Sequence, residues 1–126
     1  MADKELKGAR ISRGSLRNSA RKNFGLLEAL LERLESAEEG QVNISEVAVL
    51  RGALQRTKES LDKYEASIQR CMVLEDKEED PENEHVVEKE ELEDKLDTVQ
   101  FKVDGLLARV KEEHNAAKAQ ANVTAQ

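Results

Sequence analysis

Four arginines, Arg10, Arg13, Arg17 and Arg21, recur at steps of three, four and four, with Lys22 beside the last. On a helix that spacing lines them along one face, where their guanidinium groups could neutralise nucleic-acid phosphates or the carboxylates of an acidic partner. No aromatic residue is interleaved with them to stack bases, and the acidic bulk of the chain repels a polyanion at longer range. Pairing with the chain's own acidic segment, or with that of another copy, is an equal use of the same charges. That segment is conspicuous: residues 75–97 hold thirteen carboxylates against three lysines, whereas residues 1–23 carry a net charge of +5. The overall −7 therefore hides a dipolar chain. The acidic run suits a solvated break and helix start, where negative charge complements the helix dipole, and a docking surface for a basic partner is its other reading. Ser12, Ser15 and Ser19 each stand two residues after an arginine. A basophilic kinase could use them, each phosphate subtracting about 1.5 to 2 units from the positive balance.

Catalytic chemistry finds little footing. His85 and His114 lie 29 residues apart, and neither a His–Cys zinc site nor a Cys–His nucleophile pair is indicated. Carboxylates abound between Glu75 and Asp97, but general acid–base work needs them in a pocket that perturbs their proton affinity. Asp76 to Glu84 lacks the alternating ligands and central glycine of a calcium loop. The glycines, at 8, 14, 25, 40, 52 and 105, are too scattered for a phosphate-binding loop. A single cysteine, Cys71, can make no internal disulfide. The expectation is a chain with no enzymatic activity, metal, cofactor or small-molecule substrate.

The elements that must position these residues follow from composition and periodicity. The 126 residues are 38% hydrophobic and 37% charged, and the aromatics are only Phe24, Tyr64 and Phe101. A sheet sandwich or barrel, which leans on aromatic and β-branched residues, is disfavoured. Leu16, Ala20, Phe24, Leu27, Leu31 and Leu34 fall on one helical stripe, predicting a first helix over about 10–37. Gly40 in the following polar break suits a helix C-terminus. Asn43, with Glu46 three residues on, has the pattern of a capping box for a second helix over 44–74. Its stripe is the cleanest: Val47, Leu50, Leu54, Thr57, Leu61, Tyr64, Ile68 and Cys71 alternate three and four without a slip. Asp80 before Pro81 reads as a cap and first-turn proline for a third helix over about 81–113, with the stripe Leu92, Leu96, Val99, Val103, Leu106 and Val110. Residues 1–9 are expected to be a flexible basic arm and 114–126, small and polar, a disordered tail. Gly52 and Gly105 count onto outward positions at nearly the same height. They are either tolerated surface glycines or the mark of a second face where another helix approaches.

Short breaks between long helices favour antiparallel neighbours. The predicted fold is all-α, an elongated antiparallel helical hairpin or three-helix bundle with coiled-coil-like packing. Burying these stripes does not by itself offset the entropy of ordering such long rods, so self-association or another helical protein is the expected partner. No run of about 18 apolar residues and no apolar N-terminal stretch is present, which predicts no membrane insertion and a cytoplasmic location, with the nucleus open. An interaction and assembly module is the first functional reading. The alternatives are a nucleic-acid-binding adaptor using the basic arm, and a trafficking or tethering coiled-coil subunit.

The order of motifs also carries a family resemblance. The opening Arg10-Ile11-Ser12-Arg13-Gly14-Ser15-Leu16-Arg17, then Asn23-Phe24-Gly25-Leu26-Leu27, Leu61-Asp62-Lys63-Tyr64-Glu65, the acidic break, and Glu91-Leu92-Glu93-Asp94-Lys95-Leu96 resemble the N-terminal helical region of Gag-like polyproteins from BEL/Pao retroelements. The likeness spans about residues 7–112 at the level of pattern. In that family the segment precedes capsid-like, zinc-knuckle and protease modules, and this sequence holds neither a Cys-x-x-Cys knuckle nor an Asp-Ser/Thr-Gly triplet. The resemblance implies the leading assembly segment alone, acting as a scaffold.

Overall fold

The computed structural model describes residues 2–38, 41–75 and 83–124. They form three helices, α1 (Ala2–Glu35), α2 (Ile44–Leu74) and α3 (Glu84–Thr124). At 1.5 Å per residue these are rods of about 51, 46 and 61 Å. Cross-helix contacts fix their directions. Arg10 meets Glu75 while Asn23 meets Ser60, so α1 and α2 are antiparallel. Tyr64 meets His85 while Lys58 meets Gln100, so α2 and α3 are antiparallel as well. The fold is an all-α helical hairpin extended to a bundle, with α2 as the central rod: α1 and α3 both pack along it, and their own backbones approach each other least.

The caps explain why α2 starts where it does. Asn43 is extended (φ −99°, ψ 167°), and its side-chain oxygen accepts the backbone N–H of Glu46 at 2.8 Å. The predicted capping residue of α3, Asp80, and Gly40 after α1 lie outside the described residues. The described start of α3 is served by Asn83, whose side chain accepts the N–H of His85 at 2.9 Å.

Two expectations need correction. The first nine residues are not a flexible arm: α1 begins at Ala2, with Asp3 and Glu5 in its first turn, where they complement the dipole, and with Ala9 buried. Nor does α3 stop near residue 113. It continues to Thr124, and four of the eleven residues from His114 to Thr124 are alanines, the best helix formers, with no glycine or proline among them.

The stripes build the core. One continuous cluster joins Ala20, Phe24, Leu27, Leu31 and Leu34 of α1 to Val47, Leu50, Leu54 and Leu61 of α2 and Leu96, Val99, Val103, Leu106 and Val110 of α3. Leu92 is only partly buried against it. A smaller cluster of Tyr64, Ile68, Met72 and Val86, with Leu16 partly buried against it, occupies the other end. Thr57, the polar interruption of the α2 stripe, is fully buried and donates its hydroxyl to the Ala53 carbonyl at 2.9 Å, so its hydroxyl is satisfied within the helix. Cys71 is buried in the core.

Candidate functional site

Counting backwards along the α1 stripe explains where the arginines point. From Leu34 the steps of three and four run through Leu31, Leu27, Phe24 and Ala20 to Arg17, Arg13 and Arg10. The arginine ridge is thus the continuation of the hydrophobic stripe, not a separate outward face. Arg21, one residue off that line, flanks the same seam. The α3 stripe does likewise: below Leu92 its next members are Lys89 and His85. At one end of the bundle, polar side chains therefore flank the smaller apolar cluster along the seam, with His85 buried, Arg13, Arg17, Glu88 and Lys89 half-buried, and Arg10 and Arg21 exposed.

Those groups find partners across the helices. Arg10 donates through Nε and Nη2 to Glu75 Oε1, at 3.0 and 2.8 Å. Glu88 sits between two arginines, accepting from Arg17 on Oε2 and from Arg21 on Oε1. Lys89 Nζ lies 3.3 Å from Glu65 on α2 and 3.5 Å from Glu93 on its own helix. Burial alone would pull the Lys89 ammonium down, but the hydrogen bond to Glu65 and the charge of Glu93 outweigh it and hold its pKa above the ordinary value. Lys22 is exposed on α1.

Behind this ring lies a buried Tyr–His pair. Tyr64 is fully buried and His85 is 7% exposed. The Tyr64 hydroxyl and His85 Nδ1 share a hydrogen bond of 2.8 Å, and the rings meet edge to face at 6.0 Å. His85 Nε2 stands 3.5 Å from the Glu84 carboxylate. The tautomer that serves both contacts carries its proton on Nε2 and accepts the tyrosine proton on Nδ1. Burial, then the positive charge of Arg13, lowers the His85 pKa and keeps the ring neutral. Burial and the neighbouring Glu88 push the Tyr64 hydroxyl up to about 12. Arg13 Nε is itself buried without a hydrogen-bond partner.

What this arrangement can do is hold helices in register. The clefts nearest to it, such as one of about 450 Å³ along the α1–α3 seam lined by Arg17, Arg21, Glu84, Val87, Glu88 and Glu91, do not reach Tyr64 or His85. Among the described residues no group of three His, Cys, Asp or Glu side chains could hold a metal ion. No described helix is long and apolar enough to cross a membrane.

Sequence reasoning missed His85 as a core residue, although its place on the α3 stripe was a readable signal. It also missed Ala9, Val42, Ala53, Ser67, Met72 and Val86, all buried. His114 is exposed. Gly105 and Gly25 have nothing within 4 Å of where a Cβ would stand, and at Gly52 the nearest atom is the mobile end of Arg56 at 3.5 Å. None of the three described helices closes on these glycines. Compared with protein-family models, with curated proteins and with solved structures, the chain matches none.

Proposed function

We propose that this chain is a non-enzymatic assembly module, a helical rod whose work is contact with other copies or with other helical proteins. The observation that carries this reading is the inward use of the arginine ridge. Arg10, Arg17 and Arg21 are occupied by Glu75 and Glu88, so the feature that best suited a polyanion is engaged within the bundle. What remains on the outside includes large apolar side chains on all three helices, among them Leu26, Val49 and Phe101. A role as the leading scaffold segment of a retroelement Gag-like polyprotein, in the cytoplasm, fits the same properties.

Sedimentation across a wide concentration range tests the reading. Mass rising with concentration supports assembly, and a folded chain that stays monomeric at high micromolar concentration sinks it. The nucleic-acid alternative has its own test, titration of a labelled RNA at increasing salt. Binding at low salt that disappears when Arg10, Arg13, Arg17 and Arg21 are replaced by alanine would establish the adaptor instead.

A further inference from the structure

The first half of α1 and the second half of α2 border an open cleft of about 570 Å³. Small side chains face it: α1 contributes Gly8, Ala9 and Ser12, and α2 contributes Ala66 and Ser67. Lys63 and Arg70 also line it, about one helical turn to either side of Ala66 and Ser67. Both cations are exposed, and neither forms an ion pair among the described residues. Glu5 is the one carboxylate in the lining, so two positive charges stand against one negative.

Three serines of α1, Ser12, Ser15 and Ser19, follow an arginine by two residues, and all three are exposed. Only Ser12 lines this cleft. The other hydroxyl there, that of Ser67, is committed to the Tyr64 carbonyl at 2.6 Å. On α1 itself, the positions three and four residues from Ser12 are Gly8, Ala9, Ser15 and Leu16, all uncharged, so a dianion at Ser12 meets no like charge on its own helix face. The cations across the cleft belong to a different helix. A group held by them would tie α1 to α2.

That tie would act where α1 is least anchored. Ahead of Ala20 its one buried hydrophobic residue among those described is Ala9, with Leu6 and Leu16 half-buried. A segment with so few apolar contacts is the part that opens locally, and opening also releases Arg10 from Glu75 for recognition. We propose that Ser12 is a phosphorylation site whose phosphate docks between Lys63 and Arg70 and latches the first half of α1 onto α2. An arginine-directed serine kinase acts on the opened segment. The γ-phosphoryl group of a nucleoside triphosphate passes to Ser12 Oγ, the serine proton goes to the kinase, and the nucleoside diphosphate leaves. The added charge, about −1.5 to −2, answers the surplus cation of the cleft through charge-assisted hydrogen bonds. This latch does not depend on whether copies of the chain assemble.

The full chain carrying phosphoserine at residue 12, with one carrying it at residue 15 as control, tests the docking. Phosphate at 12 should raise the thermal midpoint by about 3 °C, and the gain should vanish in the exposed-site variant K63A/R70A. Phosphorus NMR gives an independent reading: the second ionisation of the phosphate at 12 should lie about half a pH unit or more below that at 15, and return to it in K63A/R70A. Incubation of the unmodified chain with labelled ATP and cyclic-AMP-dependent protein kinase, followed by peptide mapping, should place phosphate on Ser12. No gain at 12, a gain that survives K63A/R70A, equal ionisation at 12 and 15, or a Ser12 left bare by the kinase overturns the proposal.

Discussion

The two ends of this bundle solve the same packing problem with different chemistry. Toward the α1–α2 turn, the shared stripes are leucine, valine and phenylalanine, and the core is continuous across all three helices. Toward the other end the same stripe positions carry Arg10, Arg13 and Arg17 on α1 and His85 and Lys89 on α3, closed by Glu75, Glu65 and Glu88. The apolar half contributes most of the burial and little directional information. The polar half holds its arginines part-exposed against the more buried carboxylates of Glu75 and Glu88, and the two Glu88 pairs tie α1 to α3 in the observed register. Periodicity alone states which side chains face inward, and the residue types then decide whether that interior is apolar or ion-paired.

The largest expected effect lies in the apolar half. Leu61→Asp places an unpaired carboxylate mid-stripe and should remove cooperative unfolding, by more than about 4 kcal/mol. A melt unaltered by it would show that α2 faces water there. In the polar half, Glu88→Gln leaves Arg17 and Arg21 facing each other without their carboxylate. A loss of about 1–3 kcal/mol is expected in urea titrations, discounted because both arginines are part-exposed. Raising salt should shrink that difference and leave the Leu61→Asp effect unchanged, and the opposite pattern would reverse the contrast between the halves.

The buried Tyr–His pair belongs to the polar half and links its stability to protons. The folded-state pKa of His85 lies below its ordinary value, so its contribution to stability is complete above about pH 6.5 and is lost as pH falls below that. Tyr64 is shifted the other way: its contribution is complete below pH 10 and is lost as pH rises toward about 12. Thermal melts should therefore weaken on both limbs, and His85→Gln should flatten the acid limb while sparing the alkaline one. An acid limb unchanged by His85→Gln would assign it to the carboxylates instead. The smallest effect is a gain. Gly25→Ala, on an exposed helical position with free space around it, should stabilise α1 by about 1 kcal/mol. A destabilised Gly25→Ala melt would mean that something closes on that position in solution.

Much of the fold was legible because helical stripes repeat regularly. Val47 to Cys71 could be placed on one face from spacing alone, and Asn43 announced its own helix start. The helix ends were less legible. Residues 2–9 hold a single large apolar residue, Leu6, and 114–124 hold only Val123, too few to read as a stripe, and helix propensity with a favourable first-turn charge extends the helices where a stripe count stops. The inward arginines were hidden for a different reason. Arginine is ordinarily read as a surface residue, so its spacing leaves phosphate contact and pairing with the chain's own acidic segment both open, although the ridge lies in phase with Ala20, Phe24 and Leu27.

By itself, then, the sequence determined the helical class, the three rods, the core-facing phase of each and the dipolar distribution of charge. These are local properties, written in spacing and residue type. The packing of the rods decides which carboxylates answer which arginines, that His85 meets Tyr64, and that Phe101 is left exposed. Each of these depends on how far one rod slides along another, and helical periodicity is silent on that because every heptad offers a nearly equivalent register. The pairing of unlike charges across the rods discriminates between those registers.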